Sequence, residues 1–167
     1  MCLRDRTFEW TERINKYLRK DQDFKNLYII FASLLMDVQM LAFWVNYVLA
    51  WKTQRVYLAY LFFFVCRLGI QKTFFMGRPE GFLWSYPGVI AVTVPYPDLN
   101  DFFYSGHVGT CVLLVLEYRA MSWFKMSYFS LFVMANQWAL MTFVRTHYIT
   151  DMVAGAIIAH YFFIHAE

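Results

Sequence analysis

The sequence predicts an all-α fold, a polytopic transmembrane helical bundle with an amphipathic helix ahead of it. Three observations predict it. Of 167 residues, 60% are hydrophobic, 22% aromatic and only 16% charged, a balance outside that of soluble domains. Five apolar stretches approach the roughly 20 residues that a spanning helix needs. The links Lys52 to Arg55 and Arg119 to Lys125 are short enough to force antiparallel neighbours, so one bundle accounts for the chain.

Residues 1–26 form the N-terminal amphipathic or interfacial segment. They carry seven Lys/Arg and five Asp/Glu, interleaved with Phe8, Trp10, Ile14, Tyr17 and Leu18 at roughly helical spacing. That pattern suits a helix lying in the membrane interface and equally a merely solvated helix, and it lacks the apolar run of a cleaved leader. Residues 27–167 form the transmembrane domain. Its predicted spans are Leu27 to Trp51, Val56 to Met76, Phe102 to Tyr118, Met126 to Val144, and Tyr148 to His165. Asp37 and Arg67 fall near the middle of the first two, where a buried mutual pairing is the first expectation and a polar lining to a lipid cavity the second.

Between the second and third spans, Gly77 to Asp101 holds Pro79, Pro87, Pro95 and Pro97 together with Gly81 and Gly88. These forbid regular structure. Phe82, Leu83, Trp84, Tyr86 and Tyr96 keep the loop apolar, so it is expected to dip into the headgroup layer or roof a cavity. Its tyrosines and Trp84, with Tyr104, could hold a quaternary ammonium by cation–π attraction.

The net charge of +3 is built from short basic clusters, which fits membrane surfaces and no nucleic-acid footprint. Cys2, Cys66 and Cys111 form neither a disulfide framework nor a CxxC metal signature. No cofactor motif is present.

The chemistry-bearing residues cluster at two helix starts. His147 and Asp151 are four apart, so they share a helix face, and the carboxylate can orient the imidazole as a nucleophile. An ordinary capping Asp beside an interfacial His is at least as good an account of that pair alone. His107 lies two spans away from His147, which returns it to the same membrane face. Two imidazoles there permit in-line displacement at phosphorus, one attacking while the other protonates the departing oxygen. Ser105 and Gly106 place a small hydroxyl and a bare backbone at the same helix N-terminus, which is suited to phosphate, although a plain Ser cap has the same look. Arg145, Lys72 and Arg78 are candidate phosphate ligands that could equally be snorkelling cations. Two His and two Asp could hold a divalent ion, a reading ranked below the metal-free one. His160, thirteen residues past His147, is about 20 Å away along the helix and no partner.

At these residues the chain resembles the type 2 phosphatidic acid phosphatase superfamily, which includes sphingomyelin synthases and phosphatidylcholine:diacylglycerol cholinephosphotransferases. The resemblance covers Arg67 to the C-terminus. The superfamily motifs are K-x6-RP, PSGH and SR-x5-H-x3-D. Here Lys72 to Pro79 reads K-x5-RP, Tyr104 replaces the proline, and Leu140 and Met141 stand where Ser and Arg belong. The missing arginine normally helps to hold a doubly charged phosphomonoester, so its absence favours the phosphodiester branch. Asp101 to His107 keeps the D-x5-H spacing of the sphingomyelin synthase branch, and His147 to Asp151 keeps its H-x3-D.

The resemblance implies His147 as nucleophile, Asp151 as its assistant, His107 as acid and then base, and Asp101 as a secondary candidate. It implies transfer of phosphocholine or phosphoethanolamine from a phospholipid to diacylglycerol or ceramide, with no metal or other cofactor. A lipid phosphatase using water and a non-catalytic lipid-binding protein are the alternatives. The related enzymes have six spans and reside in the endoplasmic reticulum or Golgi. Lys52, Arg55, Arg119 and Lys125 in the loops opposite the site turn the active face away from the cytoplasm. Oligomeric state is not legible.

Overall fold

The computed structural model describes residues 5–50, 54–73, 76–94, 96 and 103–166. Asp101, Pro95 and Pro97 lie outside them. Among the described residues there are six helices and no strand: α1 (Thr7–Lys20), α2 (Gln22–Ala50), α3 (Arg55–Thr73), α4 (Gly106–Ala120), α5 (Phe124–Val144) and α6 (Ile149–His165).

Polar residues set the boundaries that hydropathy alone placed a few residues off. Asp21 separates α1 from α2, and its Oδ1 accepts from Phe24 N at 2.9 Å. An N-cap carboxylate satisfies a free amide and suits the positive helix end, so α2 starts at Gln22, ahead of its apolar run. Ser105 caps α4 by accepting from Val108 N at 3.4 Å, which starts that helix at Gly106, later than the expected Phe102. Arg145 ends α5 in the left-handed region, φ 57°, with its N–H on Met141 O.

α4 is the central helix, packed on α3, α5 and α6. At Gly109 an added Cβ would sit 2.1 Å from the Phe63 ring, so the glycine is what lets α3 come this close. α2 packs on α5 and α1. α2 and α3 follow one another in the chain yet barely touch among the described residues. A cavity of about 600 Å³ opens in the space between them.

Two expectations are revised. α1 does not simply float in an interface: Phe8, Asn15 and Leu18 are buried and the helix packs on α5, leaving Trp10 and Tyr17 exposed on its outer side. Asp37 is engaged by the long loop, its carboxylate accepting from Val92 N at 3.0 Å, Thr93 N at 2.8 Å and Thr93 Oγ1 at 2.5 Å. Nearer the start of α2, Lys25 Nζ donates to Ser85 Oγ at 2.8 Å. Lys25 and Asp37 are twelve residues apart, so the loop follows α2 for about 18 Å. It descends along the bundle and does more than roof it.

The five-span expectation is met in part. α2, whose segment Gln22–Leu49 contains an 18-residue stretch of mean hydropathy 1.8, is the one helix among the described residues long and apolar enough to cross a membrane by length and composition; α6 is apolar but shorter. Arg67 and Lys72 dilute α3, Asn136 and Gln137 dilute α5, and the Ser105 cap shortens α4.

Candidate active site

The two motif segments are joined backbone to backbone. Ser105 N donates to Asp151 O at 2.9 Å, so the N-termini of α4 and α6 meet. Gly155 makes this possible, because a Cβ there would lie 2.5 Å from Ser105 O. Beyond this contact, Gly106 and His107 from α4 and His147 from the α5–α6 turn face one cavity of about 600 Å³. Arg67 of α3 and Thr110 of α4 line the same end.

His147 is buried, and its Nδ1 stands 3.8 Å from Asp151 Oδ2. That is too long for a hydrogen bond and close enough for a carboxylate to stabilise an imidazolium. The carboxylate is committed first to the helix start: Asp151 Oδ2 accepts from Tyr148 N at 3.1 Å, one half of a capping box. The bonds of Asp151 are therefore those of the capping account, and the hydrogen bond that would orient His147 is not formed at this separation.

The phosphate-ligand candidates divide. Arg145 is buried and turned away from the cavity. Its guanidinium donates to Glu80 O at 3.0 Å and Phe8 O at 2.8 Å and pairs with Glu12. Arg145, with Lys16 adding, holds the Glu12 carboxyl below the usual carboxylate range. Ser105 is an N-cap, fully buried and behind the cavity wall. Lys72 is exposed in the last turn of α3, and Arg78 is exposed with its guanidinium over Phe82; neither lines the cavity. Of the aromatic candidates for a quaternary ammonium, none lines it either. Tyr104 is wholly buried and donates to Phe63 O at 2.7 Å. Asp101 lies outside the described residues. Among those residues, no three His, Cys, Asp or Glu side chains group as metal ligands.

A family model described as AtPDCT1/2, that of phosphatidylcholine:diacylglycerol cholinephosphotransferases, matches residues 4–167. The chain belongs to the AtPDCT1/2 family. No curated protein and no solved structure matches it. The AtPDCT1/2 match takes in α1, whereas the motif resemblance begins only at Arg67, and the structure gives α1 a reason to be part of the domain. Asn15 Nδ2 donates to Gly81 O at 3.1 Å and Phe143 O at 2.8 Å. Asp5 Oδ2 accepts from Ile149 N at 2.8 Å. The Phe8 and Tyr148 rings lie 5.8 Å apart. α1 thus holds the turn that carries His147 from both sides.

Sequence reasoning passed over two residues that build this site, Gly155 and Asn15, and ranked a third second. Arg67 was read first as half of a pair with Asp37 and second as the polar lining of a lipid cavity; it is the one charged side chain lining the cavity among the described residues, and its Nε donates to Tyr104 O at 3.2 Å. Its guanidinium lies 3.4 Å from where a Gly106 Cβ would be, an ordinary packing distance beside His107. Gly155 was signalled only by being a bare residue four past Asp151. Asn15 was signalled by being an amide on the apolar side of α1.

Proposed function

We propose that the chain is a multi-pass membrane phosphotransferase that exchanges phosphocholine between phosphatidylcholine and diacylglycerol through a phosphohistidine. The convergence of His107, His147 and Arg67 on the polar end of one largely apolar cavity carries this reading, and membership of the AtPDCT1/2 family supports the substrates. Both fit the wider superfamily of type 2 phosphatidic acid phosphatases. Exposed apolar side chains along α2, α3, α5 and α6, among them Leu41, Val65, Phe132 and Ile157, support lipid contact by all these helices. The family's lipid chemistry supports residence in the endoplasmic reticulum or Golgi.

In the first step the nitrogen of His147 opposite Asp151 attacks phosphorus. The N–P bond forms, the bond from phosphorus to the diacylglycerol oxygen breaks, and His107 gives that oxygen its proton. Asp151 stabilises the cationic imidazole. Arg67 balances the phosphoryl charge, which a single guanidinium suits in a monoanionic diester. In the second step the hydroxyl of an incoming diacylglycerol gives its proton to His107 and displaces His147 from phosphorus. Water is the competing acceptor, and an apolar cavity with few polar partners holds it poorly.

The test is to mix the purified protein with phosphatidylcholine labelled in its head group and unlabelled diacylglycerol bearing distinguishable chains. Label should appear in phosphatidylcholine carrying the new chains, and quenching should trap acid-labile phosphate on the protein. His147→Ala should lower exchange by about 10³-fold or more and His107→Ala by about 10² to 10⁴-fold. Release of free phosphocholine without exchange would replace the transferase with a hydrolase; turnover indifferent to both histidines would end the catalytic reading.

A further inference from the structure

We propose that the cleft between α2 and α3 is a binding site for one fatty acyl chain of the glycerolipid whose head group lies at the histidines, and that this cleft opens sideways into the bilayer. The proposal rests on the phosphotransfer reading for the placement of the head group.

One face of α2, Met36, Met40, Phe43, Trp44 and Tyr47, forms one wall. Val56, Tyr60, Phe64 and Arg67 of α3 form the other. Val56 and Arg67 are eleven residues apart, so the cleft runs for about 16 Å along the helices. One leaflet of hydrocarbon is about 15 Å deep, half of a 30 Å core. The cleft therefore has the depth of one leaflet, with its cation and both imidazoles at one end and aliphatic and aromatic side chains over the rest.

The walls differ in exposure. Phe43 and Val56 are buried and close the back, whereas Trp44, Tyr57 and Leu61 are 47%, 56% and 47% exposed and form open lips. At mid-depth Tyr60 Oη reaches Met40 Sδ at 3.8 Å and its ring lies 6.3 Å from Phe43. A thioether is a weak acceptor on a flexible chain, so an alkyl chain can displace this bridge without breaking an ion pair. Water is a poor occupant, since a buried water needs two to four polar partners and the lower part of the cleft offers few.

Two measurements test it. In the first, phosphatidylcholine with a diazirine near the end of one acyl chain is irradiated with the protein in detergent, with and without excess unlabelled phosphatidylcholine. Adducts suppressed by the competitor should map to residues 40–47 and 56–61; competed adducts confined to the outer faces of α5 and α6 would overturn the proposal. This readout needs no turnover. Correct adducts without head-group exchange would therefore remove the phosphotransfer reading and leave the acyl site standing. In the second, Leu61→Trp narrows a half-exposed lip where extra bulk does not disturb the core. It should lower exchange of long-chain lipids by about tenfold and leave six-carbon-chain substrates within about twofold of the parent. Equal loss for both chain lengths, or no loss for either, counts against the cleft.

Discussion

The two flanks of the histidine site are built on opposite terms. On one side α1, the Glu80–Leu83 segment and the α5–α6 turn are tied by directional bonds: Asn15 to two carbonyls, Arg145 to two more and to Glu12, Asp5 to the first amide of α6, and Leu83 N to Val144 O. On the other side α2 and α3 stand apart, bridged at mid-depth by Tyr60 and Met40. In the proposed reaction the tied flank fixes His147 as nucleophile, and the loose flank admits the lipid. A site that must hold a nucleophile steady while exchanging a bulky substrate needs both properties, and here they fall on separate helices.

Exchanging the two arginines gives the largest test. Arg67→Ala, on the open flank, should lower exchange by about 10²-fold, as for loss of a charge-stabilising donor, while losing about 1.5 kcal/mol of stability with the charged bond to Tyr104 O. Arg145→Ala, on the tied flank, should do the reverse in character. Losing its charged hydrogen bonds should cost roughly 3 kcal/mol, read as a lower unfolding midpoint in detergent, with activity falling because the His147 turn loosens. Indistinguishable stability and kinetics for the two variants would erase the contrast. Next in size is Gly155→Ala. Its Cβ would press on Ser105 O, costing about 1–3 kcal/mol in a packed contact. It should part the two helix starts, so exchange should fall for long-chain and short-chain lipids alike, in contrast to Leu61→Trp.

The contrast between flanks also explains what the sequence could tell. The apolar helices were legible within a few residues because a sustained apolar run writes a long, coarse signal. The meeting of His107 and His147 on one cavity was legible because two packed helices, α4 and α5, separate them and bring the chain back to the same end of the bundle. Arg145 was misjudged as a phosphate ligand because a cation near a motif looks the same whichever way it points. Its left-handed backbone, which turns it toward α1, leaves no mark in composition. The Asp37–Arg67 pairing misled for a related reason. Two charges at matching depth invite each other on paper, yet the amides of Val92 and Thr93 reach Asp37 first. Long-range tethers such as Asn15 to Phe143 join residues far apart in the chain, and no local pattern encodes them.

The smallest expected effect concerns Glu12, the exposed end of the tied flank. Hydrogen bonding to Arg145, with Lys16 adding, holds its carboxyl below the ordinary value of 4.5. The folded protein therefore binds this proton less readily than the unfolded chain does. The stabilisation is complete above that ordinary value and is lost as pH falls through the lowered folded value. Other carboxylates titrate in the same range, so the informative quantity is a difference. Glu12→Gln should narrow its gap in unfolding midpoint from the parent as pH drops from about 5 to about 3, with the variant less stable at neutral pH. Parallel curves for the two would mean that Arg145 is held by the carbonyls of Phe8 and Glu80 alone and that Glu12 adds nothing to the clamp. A gap that closes on acidification would place an ion pair at the edge of the tied flank, where solvent can weaken it without releasing Asn15 or Asp5.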